Sequence, residues 1–149
     1  MKKKNFYVEF SDCVLCDTCP EETLLHLFFE CSFSQSFWWA LGFKWNTDFD
    51  IHEMIQEAKE RYSINFLMEI LITGCWSIWE QRNDDIFRGI APSVDRCVIR
   101  FKSFLSLSMH RARPSLKDGM QSWLDTLWII VMHVHVNMWT GNRKWKIEQ

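Results

Sequence analysis

Residues 13–31 read CVLCDTCPEETLLHLFFEC and contain metal-ligand residue types in the spacing C-x2-C-x9-H-x4-C. The close pair is Cys13 and Cys16, and His26 and Cys31 follow. A C-x2-C pair can hold one Zn²⁺ from a tight turn, and a later histidine and cysteine can complete the tetrahedron. The spacing therefore predicts a zinc site near the start of the chain.

Cys19 leaves the assignment open when spacing alone is considered. It forms a second C-x2-C pair with Cys16, so it can replace Cys13 in the same tetrahedron. On an unbroken α-helix, five residues rotate by about 500°, so His26 and Cys31 would not share a face. We therefore expect the helix that carries His26 to loosen or end near Glu30.

A second motif lies further along, where residues 76–87 read WSIWEQRNDDIF and fit a W-x-x-W-x-x-R-N pattern. The ligand stretch, the Phe37-Trp38 pair and this motif resemble the zinc-binding domain of plant LINE-type (non-LTR) retrotransposon reverse transcriptases and the segment that follows it. The resemblance covers about residues 5–127. It implies that the ligands are Cys13, Cys16, His26 and Cys31, because Cys19 falls where the family has none.

The composition is that of one folded domain with a small appendage. The chain has 149 residues, 48% of them hydrophobic, which is enough to bury a core. Its start lacks the apolar stretch of a signal peptide, which predicts an intracellular, reducing location where clustered cysteines are usually metal ligands. No stretch reaches the 18–20 uninterrupted apolar residues of a membrane span, so we expect no membrane partner.

Hydrophobic periodicity and capping signals predict a mainly α fold, with a zinc-stapled N-terminal unit packed on helices. Asp50 and Glu53 have capping-box spacing and open a helix to about Tyr62. Further helices are expected over about residues 65–87, after Pro92-Ser93 and after Pro114. The predicted parts are a zinc-binding unit at 5–45, a helical region at 50–127 and a tail at 128–149, which is either a short strand or a helix extension.

Basic residues are concentrated between positions 96 and 117, a stretch without Asp or Glu in a chain whose net charge is −2. Such a stretch can contact nucleic-acid phosphates, although a solvated helix face is the simpler interpretation. Trp38, Trp39 and Trp45 can stack on bases or belong to the core. The candidate nucleic-acid-binding residues are Arg96, Arg100, Lys102, Arg111, Arg113 and Lys117.

No nucleophile pair, acid–base constellation or glycine-rich phosphate loop is recognisable, so we expect a protein that is not an enzyme. A polymerase domain is not recognisable either, and Asp84 and Asp85 are expected on a solvated helix face. Together with the resemblance, the sequence thus predicts a non-catalytic zinc module that binds RNA or DNA and derives from a retrotransposon reverse transcriptase. The alternative is a remnant that binds zinc, exposes a helical surface to other proteins and has no selected activity.

Overall fold

The computed structural model of the chain describes residues 12–16 and 21–139, with side chains described as far as residue 127. These residues are mostly helical, which confirms the predicted fold class, and their β-pairing is one antiparallel bridge between Asp12 and Glu21. In chain order, the described elements are a π-helical turn at His26–Glu30 and the helices α1 Ser32–Ala40, α2 Ile51–Tyr62, α3 Leu67–Arg88, α4 Val94–Met109 and α5 Pro114–Trp139.

The helix ends follow local sequence signals. Oδ1 of Asp50 accepts the backbone N–H of Glu53 at 2.9 Å, which caps α2 as the spacing predicts. Gly89 ends α3 with a φ of 63°, a left-handed conformation that glycine adopts without steric cost. Pro114 occupies the first position of α5, where a helix needs no N–H donor.

The last helix decides between the two structures predicted for the end of the chain. Because α5 continues through residues 128–139, that part is a helix extension and the strand alternative is wrong. Residues 140–149 lie outside the described part of the chain. The chain consists of two compact units, residues 1–107 and 108–149. Within the described ranges, no helix has the length and apolar character needed to cross a bilayer.

The close approach of α1 to α3 depends on Gly74. A Cβ atom at this position would lie 2.2 Å from Cη2 of the Trp38 indole, far inside van der Waals contact. Glycine therefore lets the indole ring lie directly against the backbone of α3. This arrangement buries Trp38 to 1% exposure. Its indole also packs against the aromatic rings of Phe29, Phe37, Phe43 and Trp45.

Candidate metal centre

Four buried side chains converge in the first unit. The thiols of Cys13, Cys16 and Cys31 and a ring nitrogen of His26 lie within 4.8 Å of one another. Their residues are between 0% and 7% exposed. A group with this donor chemistry can hold a metal ion. It is the set of four that the resemblance implied, while the competing Cys19 lies outside the described residues.

Two distances in the cluster match the edges of a small tetrahedral coordination shell. Sγ of Cys13 lies 3.8 Å from Sγ of Cys31, and Sγ of Cys16 lies 3.4 Å from Nε2 of His26. Around a zinc ion, bonds of about 2.3 Å to sulfur and about 2.0 Å to nitrogen give edges of about 3.8 Å and about 3.5 Å. The remaining edges, each within 4.8 Å, need to contract by no more than about 1.3 Å, so the four residues fit such an ion.

The π-helical turn brings His26 and Cys31 to the same side of the chain. Its hydrogen bond runs from the N–H of Cys31 to the carbonyl of His26 at 2.7 Å, an i→i+5 bond that stacks residue 31 over residue 26. Cys31 then turns to an extended ψ of 134°, which ends the turn at Glu30. The expectation that the helix loosens or ends near Glu30 is confirmed, and the widened turn is the physical means.

Side chains satisfy the carbonyl groups that the widened turn leaves without helical partners. The Ser34 hydroxyl donates to the carbonyl of Leu27 in a short hydrogen bond. Nε1 of Trp38 donates to the carbonyl of Phe28 at 2.7 Å. Buried carbonyls without partners would cost about 1–3 kcal/mol each. These two side chains of α1 therefore stabilise the turn that aligns the candidate ligands.

The first two cysteines are held by a tight turn. Val14 and Leu15 form a turn between Cys13 and Cys16, and Leu15 is only 8% exposed. An antiparallel bridge also joins Asp12, next to Cys13, to Glu21. This bridge returns the chain toward the cysteine pair shortly before His26, so a local backbone contact helps to position all four donors.

The backbone and the imidazole ring of His26 each have a partner nearby in the sequence. The Thr23 hydroxyl oxygen accepts the backbone N–H of His26 at 3.0 Å, which caps the start of the helical run. Nδ1 of His26 lies 4.0 Å from Oε2 of Glu30, while Nε2 faces Cys16. Metal-binding histidines usually present their second nitrogen to a carboxylate or carbonyl, directly or through water. Glu30 occupies that place.

Burial controls the protonation of the candidate thiols. Burial raises the pKa of Cys13 to about 12, although the backbone near Leu15 opposes the rise. Burial also raises the pKa of Cys31, and the backbone N–H groups of Ser34 and Phe33 act in the opposite direction. Such thiols keep their protons at neutral pH in the absence of a metal. Metal binding must therefore displace protons from them.

Two further cysteines lie apart from this cluster. Cys97 is 0% exposed on α4 and Cys75 is half-buried on α3. Burial raises the pKa of each thiol to about 12. Both lie on helices, and neither belongs to the group that can hold a metal.

The candidate nucleic-acid-binding residues have different environments. On α4, the Arg96 guanidinium donates to the carbonyl of Ala91, Arg100 pairs with Asp84 at 2.6 Å, and Lys102 is 4% exposed. The other three, Arg111, Arg113 and Lys117, belong to the second unit. Of those three, both arginines are exposed and Lys117 is half-buried.

The expectation for Asp84 is wrong. Its carboxylate is not on a solvated face, because the residue is only 4% exposed and pairs with Arg100 of α4 and, at 3.4 Å, with Arg88. A buried charge needs such partners, whose presence the charge pattern of a single helix does not reveal. Asp85, the next residue, is half-buried.

The three tryptophans considered for base stacking are divided between core and surface. Trp38 and Trp45 are at most 8% exposed and belong to the aromatic core, whereas Trp39 is 62% exposed. Other residues in or against the elements that carry the cluster were not singled out from the sequence. These residues are Glu22, Thr23, Ser34, Gly74 and Arg82, of which Thr23 alone has a local signal, its capping position at the start of a helical run.

Comparisons with known proteins yield no match to the chain among protein-family models, curated proteins or solved structures.

Proposed function

We propose that the chain is a non-catalytic metal-binding module whose Cys13, Cys16, His26 and Cys31 hold one Zn²⁺. The observation that carries the proposal is the buried cluster, in which the Cys13–Cys31 and Cys16–His26 donor pairs have the edge lengths of a tetrahedral zinc shell. Three thiolates and one imidazole are soft and borderline donors that favour zinc over magnesium or calcium. The resemblance to reverse-transcriptase zinc-binding domains supports the same ligands.

The role proposed for the zinc is structural. A catalytic zinc keeps a coordination position open for water, and four protein donors leave no such position. The ligands come from a five-residue turn and a short loop. Elements this short form too few backbone hydrogen bonds to be stable on their own. Zinc would join them by direct bonds, as it does in small metal-dependent domains.

Elemental analysis of protein purified without chelator tests this function. We expect about one zinc per chain. Cys31→Ser should lose the metal, whereas Cys97→Ser, a matched change at an equally buried cysteine, should keep it. Cys19→Ser should also keep it if Cys13 is the ligand. Full zinc content in Cys31→Ser would contradict the proposed site.

We further propose that this metal-binding module binds nucleic acid. It is supported by the acid-free basic stretch and by the exposure of Arg111 and Arg113, together with the resemblance to a retrotransposon protein. Lysine and arginine side chains that neutralise phosphates release counterions, so the affinity should fall as the salt concentration rises. The proposed partner is single-stranded RNA or DNA that is bound through its backbone.

Titration of the zinc-loaded protein with single-stranded RNA and DNA at several salt concentrations tests this partner. Changing Arg111 and Arg113 to Gln should weaken binding and reduce the salt slope by about one per lost phosphate contact. Arg88→Gln removes an equally exposed arginine outside the stretch and should change little. Absence of binding at low salt would reject the nucleic-acid role and leave the zinc site unaffected.

An interaction remnant is the second candidate, favoured by one observation. Met68, Ile72 and Trp76 follow one another at i, i+4 and i+8 on α3 and are 38%, 65% and 51% exposed. A stripe of this kind can pair with a second copy of the chain. Sedimentation analysis of wild type and Ile72→Glu tests it. A wild-type protein that stays monomeric at high concentration would reject this candidate.

A further inference from the structure

A buried ion pair connects the candidate metal segment to α3. Nε of Arg82 lies 2.7 Å from Oε1 of Glu22, and the two side chains are 6% and 11% exposed. The Arg82 guanidinium also lies 4.9 Å from the centre of the Trp79 ring. The pair is therefore a well-packed contact between residues 60 positions apart in sequence.

The position of Glu22 gives this contact its significance. Glu22 lies between Cys16 and His26, inside the loop that a bound metal would close, four residues before the histidine. Arg82 lies on α3 and is not a candidate ligand. Retaining two charges at a buried contact is costly unless they stay paired, and loss of one partner leaves the other uncompensated. The ion pair thus requires the loop to occupy one particular place on α3.

We propose that Glu22 and Arg82 are positioning residues of the metal centre and that they couple metal binding to the order of α3. The pair fixes the segment before His26 so that the imidazole meets the thiolates. Metal binding, in turn, closes the loop and holds Glu22 against Arg82. This inference rests on the proposed zinc function. Because coupling free energies are reciprocal, a broken pair must weaken zinc binding by the factor with which zinc strengthens the pair.

Competition titration with a chromophoric zinc chelator measures the coupling. Glu22→Gln and Arg82→Met should each lower zinc affinity about tenfold, as outer-shell substitutions commonly do. The double variant should lose much less than the product of the two single losses, because the first substitution already removes the contact. Arg88→Gln removes another arginine–carboxylate pair of α3 and should bind zinc within about twofold of wild type.

Two further measurements separate positioning from general stability. Leu105→Val shortens a fully buried side chain of α4 and should lower the unfolding midpoint while keeping zinc affinity. Amide exchange in wild type needs no variant: zinc removal should reduce protection around Arg82 at least tenfold. Cobalt-loaded Glu22→Gln should show a changed visible absorption spectrum if the imidazole shifts.

The outcomes distinguish the inference from the function on which it rests. Failure of wild type to bind zinc would reject both the zinc function and the coupling. Wild-type binding with unchanged affinity in folded Glu22→Gln and Arg82→Met would reject the coupling alone. If either variant fails to fold, the exchange measurement decides: protection around Arg82 that does not change with zinc would overturn the proposal.

Discussion

Residues 21–31 and helix α3 both belong to the first unit, but they bury different kinds of side chain. The short segment buries two candidate metal ligands, His26 in its π-helical turn and Cys31 just after it, whereas α3 buries Ile70 and Ile78 along a helix of 22 residues. A single short turn cannot be stabilised by its own backbone hydrogen bonds, while a long helix gains from each apolar residue that it packs. We therefore expect the first region to depend on bonds between its donors and the proposed metal.

Two contacts join these differently stabilised regions. The Trp38 indole lies against Gly74, and the Arg82 guanidinium pairs with Glu22. The first contact is apolar, and its Trp38 follows the cluster in sequence. The second contact is ionic, and its Glu22 lies between Cys16 and His26. The comparison teaches that the two contacts can be changed one at a time, and that the expected effect depends on whether the apolar or the ionic contact is changed.

Removal of the metal is the strongest way to separate the two regions. Structural zinc contributes about 10 kcal/mol or more in isolated zinc-finger peptides, so chelation should lower the free energy of unfolding more than any single substitution that leaves the metal bound. We expect large losses of near-ultraviolet circular dichroism from the aromatic cluster and smaller losses of helical signal. Urea denaturation of zinc-loaded and chelated protein measures the difference.

Cys31→Ser should reproduce the chelated state, and Cys97→Ser provides its control. Both cysteines are 0% exposed, but the second should cost only about 1–3 kcal/mol, because it places a hydroxyl in an apolar site without breaking a metal bond. Equal destabilisation by the two substitutions would contradict a metal-dependent segment and would indicate that both cysteines serve as ordinary core residues.

The sequence predicted those features that depend on neighbours along the chain. The cap at Asp50 is confirmed, and α3 ends at Arg88, close to the predicted end at about residue 87, because both signals lie within one turn of a helix end. The loosening near Glu30 could be predicted because it follows from the rotation of a helix between two ligands. The four residues of the cluster were likewise identified by their spacing and by the resemblance.

Contacts between residues far apart in the sequence could not be predicted. Gly74 lies within a helix, and a glycine is needed there because the Trp38 ring of α1 lies against the backbone. The surroundings of Asp84 were predicted wrongly because Arg100 reaches it from α4. Neither residue has a local pattern that reveals its partner. The predicted metal and nucleic-acid partners remain predictions, because they depend on groups outside the chain.

Gly74→Ala should produce the next largest effect, on the apolar side of the comparison. Its added methyl would overlap the Trp38 ring at 2.2 Å, and overpacking of this kind costs about 1–3 kcal/mol. Alanine favours helices over glycine by about 1 kcal/mol, so a net loss shows that the clash dominates. Urea denaturation should show this loss while elemental analysis shows unchanged zinc content.

A double-mutant cycle checks the cause of that loss. In a Trp38→Leu background the ring is gone, and Gly74→Ala should become neutral or stabilising because only helix propensity remains. A gain in stability from Gly74→Ala in the wild-type background would show that α1 and α3 do not approach as closely as the structure describes.

Glu30→Ala tests the ligand side of the comparison with a smaller effect. The Glu30 carboxylate lies 4.0 Å from Nδ1 of His26, where it can orient the imidazole directly or through water. We expect zinc affinity to fall about tenfold, or about 1.4 kcal/mol. Glu30→Gln keeps an acceptor and should retain most of the affinity. Glu21→Gln removes an exposed charge near the site and serves as the control; an equal loss there would indicate a general charge effect.

Ser63→Gly should have the smallest effect, and it should be the same with and without metal. Ser63 follows α2 with a φ of 48°, a left-handed conformation that is unfavourable for a residue with a Cβ atom. Glycine relieves this strain but loses the Ser63 hydroxyl contact to the carbonyl of Glu60 at 3.2 Å, so we expect a net gain in stability of about 0.5–1 kcal/mol.

Ser103→Gly is the control: it breaks a hydroxyl contact of equal length inside α4, where glycine costs stability. Because the hydrogen bonds of Ser63 go to Glu60 and Lys59 of its own helix, urea denaturation should show the same gain in zinc-loaded and chelated protein. A gain confined to the zinc-loaded form would mean that the metal controls the order of α2 as well, and that the division between the two regions lies further along the chain.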